Sequence, residues 1–149
     1  MGPGIPQSTN RVISVSAADA GVAPQAFTHH RWAEIDPEQM NPQITRQYVT
    51  GTKTMLARIV LLKGAHVPLH SHPNEQVSHT LSGELLFKLE EREVSVRAGE
   101  VLCIPPNVPH EAFALADTVA MDVFNPPRQD WIDGDDAYLR GEAAWPAKR

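Results

Sequence analysis

An all-β fold, a barrel or sandwich of short strands, is what this chain of 149 residues predicts. Two observations carry that expectation. Apolar residues alternate with polar ones over stretches of four to eight residues, the period of a strand with one buried face. Glycine, proline, asparagine and serine punctuate the sequence between those stretches at short, regular intervals. The length suits a single domain with a real core, and no internal repeat or long low-complexity segment is visible.

The elements follow in order. Residues 1–30 are poor in large apolar groups and read as an N-terminal arm, weakly ordered or ordered only by a partner, with His29 and His30 facing solvent at its edge. Residues 31–149 form the domain. Trp32 to Pro42 predicts a short turn or helix, because Asp36-Pro37-Glu38 resembles a helix start. From about residue 44 strand follows strand. Met55 to Leu62 is apolar-rich and stops at Lys63-Gly64. Ser82-Gly83 signals a turn into Glu84 to Leu89, where Leu85, Phe87 and Leu89 share one face. Val94 and Val96 alternate before Ala98-Gly99, and Val101 to Ile104, His110 to Leu115 and Thr118 to Phe124 complete the set.

Composition narrows the function. Thirteen Lys and Arg against 18 Asp and Glu give a net charge of −5, which argues against nucleic acid as a partner. The single cysteine, Cys103, excludes an internal disulfide and reads as a small buried hydrophobe in an apolar run. No apolar run approaches the length of a membrane span, and the first residues lack the basic and apolar blocks of a secretory signal. A cytoplasmic protein without membrane contact is the expectation.

Chemistry concentrates in one stretch. Four of the seven histidines (His66, His70, His72, His79) fall within fourteen residues. His70 and His72 are two apart, so on an extended strand both imidazoles leave the same face. Gln76, after a Pro-Asn turn, can return an amide oxygen toward them. Paired surface histidines beside a loop would give the same local pattern, but imidazole is the commonest metal ligand near neutral pH. A distant block supplies a further histidine: Gly99, then Pro105, Asn107 and His110, a strand bounded by Gly and Pro and closed by a tight turn.

Together the two blocks resemble the paired motifs of the cupin superfamily. Gly64, His70, His72, Gln76 and Gly83 match the first motif, residues 64–83. Gly99, Pro105 and His110 match the second, residues 99–110, with Asn107 where glycine is usual. Asparagine is the next best residue for a left-handed turn position. The resemblance spans roughly residues 44 to 128 and implies a double-stranded β-helix barrel with a metal pocket at its mouth. It implies His70, His72, Gln76 and His110 as ligands of a divalent transition metal, with nickel, zinc, iron and manganese all compatible. Many cupins have Glu where Gln76 stands. A neutral amide leaves the ion its full double charge, a stronger Lewis acid toward an anionic substrate. Glu75 is one residue out of register and points away. Cupins of this size usually pair barrels, so a homodimer is expected, with Val77 and Leu81 on the outward face and His79 near the interface.

The last long strand gives a second clue. Asp122 and Phe124 share one face and Val119, Met121 and Val123 the other, so a carboxylate alternates with apolar residues. An ordinary rim ion pair between Asp122 and Arg128 is one reading. The alternative is a resemblance to the KdgF-type cupins of pectin and alginate breakdown, in which an Asp, a Phe two later and an Arg four beyond line the pocket opposite the metal. That resemblance implies Asp122 as general acid/base, Phe124 against the sugar ring and Arg128 holding a substrate carboxylate in two hydrogen bonds. The expected reaction is ring opening and ketonisation of 4,5-unsaturated uronates to linear keto acids, on a small anionic sugar-acid substrate. A metal cupin dioxygenase, a lyase acting on a small carboxylate and a non-enzymatic sugar- or ligand-binding cupin are the alternatives, since one fold hosts many activities.

Overall fold

In the computed structural model, residues 26–140 are described; the first 25 residues of the expected arm and the last nine of the chain lie outside them. Residues 26–30 are exposed and belong to no strand or helix, and His29 and His30 face solvent as expected.

Ten strands follow: β1 (Glu38–Asn41), β2 (Ile44–Thr50), β3 (Met55–Leu61), β4 (His66–His70), β5 (Glu75–Ser82), β6 (Glu84–Leu89), β7 (Arg92–Arg97), β8 (Val101–Ile104), β9 (His110–Ala114) and β10 (Thr118–Asn125). They form a six-stranded sheet in the order β1-β2-β3-β10-β5-β8 and a four-stranded sheet in the order β4-β9-β6-β7. Every pairing is antiparallel, and the order makes the architecture a double-stranded β-helix.

The strand expectations hold to within two residues at most ends, but the expected helix start does not. Trp32–Glu34 is a single 3₁₀ turn, and Glu38 opens β1 instead. Pro37 sets an extended backbone just as well as a helical first turn, and pairing Glu38 with Arg46 of β2 decides between them.

Alternation builds the core. Met55, Ala57, Ile59 and Leu61 of β3 point inward, as do Leu85 and Phe87 of β6, Ala112 and Ala114 of β9, and Ala120 and Phe124 of β10. Small residues predominate on β9 and β10, which leaves room between the sheets. The β5–β6 turn is tight: Gly83 has φ +83°, and a Cβ there would run into the Asp117 carbonyl. Cys103 departs from expectation. It is exposed, on the outer face of edge strand β8 opposite Val77, so it is no part of the core.

After β10 the chain turns back across the barrel through two short helices, α1 (Gln129–Ile132) and α2 (Ala137–Arg140). Trp131 and Leu139 plug into the core. Buried Asp136 accepts from Arg46 of β2 (2.9 Å) and from Arg140 (3.1 Å), and Asn41 donates to the Leu139 carbonyl (2.9 Å). The Arg46 guanidinium also lies over the Trp131 ring, 4.5 Å from its centroid. These contacts seat the C-terminal helices over one end of the cavity between the sheets.

Candidate active site

The two histidine-bearing segments meet at the open end of the four-stranded sheet. His70 ends β4 and His110 begins β9, and the two are direct cross-strand partners. His72 is not on the same strand as His70, as the two-residue spacing suggested. It lies in the loop beyond β4, whose carbonyl at His72 accepts from the Asn107 N–H (2.8 Å). Asn107 has φ +65°, the left-handed conformation expected of it, so the second motif's turn braces the first motif's loop.

The three imidazoles converge, with ring centroids 4.2 to 5.6 Å apart and one ligand atom from each lying within 4.8 Å of the others. Their orientation has one cause. The Nδ1–H of His70 donates to the Pro68 carbonyl (2.7 Å), that of His72 to the Asn74 carbonyl (3.0 Å) and that of His110 to the Val108 carbonyl (2.8 Å). A carbonyl only accepts, so each ring carries its proton on Nδ1 and presents a bare lone pair at Nε2. Burial, with the neighbouring positive groups, lowers all three affinities for a second proton, to about 3 for His70 and about 4 for His72.

This donor set fits a divalent transition metal. His110 Nε2 is buried with no partner among the described residues, an orphan that an ion would satisfy. The side-chain oxygen of Gln76 lies 3.1 Å from Nε2 of His72. With the His72 proton on Nδ1, that places two lone-pair atoms face to face, an arrangement a shared cation relieves. Gln76 is buried and Glu75 exposed, as their register on β5 requires.

The opposite wall is β10. Asp122 and Phe124 point inward, and Val119, Met121 and Val123 outward. Asp122 is buried and accepts from the Ser78 hydroxyl across the β5–β10 pair (2.6 Å). Desolvation outweighs that bond and the positive charge of Arg128, and pushes the carboxyl up to about 6. Arg128 does not pair with Asp122. Its Nε and Nη2 bind the two oxygens of Asp130 (2.9 and 2.7 Å), and its guanidinium lies over Trp131 and Phe124, 4.6 and 5.0 Å from the ring centroids.

One cavity connects the two walls. His70, Gln76 and His110 line it beside Asp122, Phe124 and Arg128, and Leu85 and Phe87 of β6 supply part of its apolar surface. Its volume is about 50 Å³. Two polar lining residues escaped the sequence reading, Ser78 and Tyr138. Ser78 could have been found from its inward register two residues after Gln76. Tyr138 follows the last strand, where no period indicates a face, yet its ring stacks on His70 at 4.4 Å.

Known proteins agree with this architecture. Residues 57–124 match the cupin domain family. The structure of KdgF from Halomonas sp. is 24% identical, superposes with a TM-score of 0.67 and covers 71% of this chain and 99% of its own. An RmlC-like cupin from Shewanella frigidimarina is 26% identical with the same TM-score, covering 72% and 97%. The 3-hydroxyanthranilate 3,4-dioxygenase of Ruegeria pomeroyi is 25% identical over 89 residues, 57% of this chain and 49% of that protein. The chain spans about half the length of the curated relatives it matches.

Proposed function

We propose, from the premise that this chain is a small cupin-fold protein resembling KdgF, that it is a metal-dependent isomerase opening the ring of 4,5-unsaturated uronates. One observation carries the reading: a proton-carrying carboxyl and a guanidinium line one small cavity with His70 and His110, two of three convergent imidazoles. In the reaction the anomeric hydroxyl gives up a proton, the ring C–O bond breaks, and the enol carbon C4 takes up a proton. The product is a linear keto acid of unchanged composition. Asp122, poised at about 6, is the group that carries the proton, because both its forms are populated near neutral pH. Ser78 holds its carboxyl in place, Phe124 presents an apolar surface to the ring, and Arg128 attracts the substrate carboxylate. His70, His72, His110 and Gln76 would hold a divalent ion of the nickel, zinc, iron or manganese type, which supplies Lewis-acid polarisation of a substrate oxygen.

The reading includes a homodimer. Leu81 and Val101 are 45% and 55% exposed on the outer face of β5 and β8, beside Val77, His79 and Cys103. Sedimentation should give twice the chain mass; a monomer at micromolar concentration removes that part.

The test is loss of the ultraviolet absorbance of an unsaturated uronate, faster than the spontaneous rate with metal-loaded protein and not with metal-free protein. The dioxygenase relative motivates a second reading, iron-dependent oxygen insertion. Oxygen uptake by the iron-loaded protein would favour that reading, a cleaved product a lyase, and binding without turnover a sugar-acid receptor.

A further inference from the structure

The Tyr138 hydroxyl has an unusual pair of partners. It accepts from Nη2 of Arg128 (2.6 Å) and from Nε1 of Trp131 (2.8 Å). Guanidinium and indole N–H groups can only donate, so both lone pairs of the phenol oxygen are committed. The phenol hydrogen is therefore free to be given away, and among the described residues no acceptor takes it. Burial holds the phenol above its ordinary pKa, so the hydrogen is present throughout the neutral range.

Arg128 is in the complementary state. Asp130 occupies the edge formed by Nε and Nη2, and Tyr138 takes the remaining direction of Nη2. Only Nη1 has no partner among the described residues. The two-pronged grip expected of Arg128 alone is thus spent inside the protein, while an unspent guanidinium N–H and an unspent phenol O–H belong to residues that both line the cavity. The ring cannot drift: it stacks on His70, and the ion pairs of Asp136 with Arg46 and Arg140 anchor the start of α2.

We propose that Tyr138 is a substrate-binding residue, whose phenol O–H joins Nη1 of Arg128 in gripping the carboxylate of a sugar acid. The proposal rests on the uronate reading for the ligand class, but not on turnover. Pairing one charged and one neutral donor suits a carboxylate, which accepts at both oxygens, and disfavours an ester, whose two oxygens share no charge.

The experiment is calorimetric titration of metal-loaded protein with galacturonate and with its methyl ester, using wild type and Tyr138→Phe. Phenylalanine keeps the stack on His70 and removes only the hydroxyl. Wild type should bind the acid more tightly than the ester. Tyr138→Phe should lose about tenfold or more in affinity for the acid, the loss expected of one hydrogen bond to a charged group. Its affinity for the ester and its metal content should stay the same. Equal acid affinity in the two proteins, an equal loss for acid and ester, or no acid preference in wild type overturns the proposal. If the acid preference and its loss are found but unsaturated uronates do not turn over, the ring-opening reading fails and the carboxylate grip stands.

Discussion

Strands β3 and β5 flank β10 on either side and face the same interior, yet they are built inside out relative to one another. β3 turns Met55, Ala57, Ile59 and Leu61 inward, as a strand over a hydrophobic core should. β5 turns Gln76, Ser78 and Thr80 inward and leaves Val77 and Leu81 toward the outside. Burying three polar side chains costs free energy unless each finds a partner. Only Ser78 finds one, in Asp122: the Gln76 oxygen faces the bare Nε2 of His72, and the Thr80 hydroxyl has no partner among the described residues. β3 is therefore built as a core strand, whereas β5 presents Gln76 and Ser78 to the cavity. Here the inverted polarity of β5 is what separates the cavity wall from the core wall.

Substitutions should separate the two roles. The largest effect is expected at the lone pair with nothing to bind. His110→Ala should lose its metal, and activity on unsaturated uronates should fall to background while the far-ultraviolet circular dichroism of the barrel persists. Metal analysis of the purified variant checks it, and stoichiometric metal would remove His110 from the site.

Next is Asp122→Asn, which keeps the shape and the bond to Ser78 but cannot carry a proton. Turnover should drop by about a hundredfold or more with metal retained. The same variant should gain stability with pH. Below the usual carboxylate value of 3.8 the parent's Asp122 is protonated folded and unfolded alike, with no penalty. As pH rises toward 6 only the unfolded chain releases its proton, so the parent loses stability relative to the variant. That difference should level off above pH 6 at about 3 kcal/mol. The histidines act in the opposite sense, weakening the fold as pH falls below 6.5, but they are common to both proteins and cancel. Urea titrations of metal-free protein at pH 4 and pH 7 measure it, and a pH-independent difference would show that Asp122 is not held protonated.

On the other flank, Met55→Ala should destabilise the fold by about 2–4 kcal/mol through the cavity it leaves. The activity and metal content of the folded fraction should match the parent. A reduced turnover number in that variant would mean that β3 shapes the site as well as the core. The smallest effect is expected for Gln76→Glu. A carboxylate binds the ion at least as well but dulls its Lewis acidity, so metal affinity should hold while the rate falls by about tenfold. An unchanged rate would make the neutral amide incidental.

Much of this could be read before any coordinates. The strands were legible because alternation has a fixed period, and the histidines because their spacing matches a known pair of motifs. Three features were not. Glu38 opens a strand rather than a helix because hairpin pairing with β2 overrides the helix-start preference of Asp36-Pro37-Glu38. Cys103 is exposed because β8 is an edge strand, and an apolar run does not tell which side a sheet leaves uncovered. Tyr138 joined the site only through tertiary contacts of two short helices whose sequence has no period long enough to indicate a face.

Asn74 ties the site together from outside it. Its backbone carbonyl takes the Nδ1 proton of His72, and its side-chain amide donates to the carbonyls of Pro126 and Pro127 (2.6 and 3.2 Å), just ahead of Arg128. A single residue thus acts as a spacer bar between the imidazole corner and the guanidinium corner. These bonds link the two corners through one residue and so help to set the gap between them. A ligand spanning both corners would have to match that spacing, which is set in part by an asparagine that does not itself line the cavity.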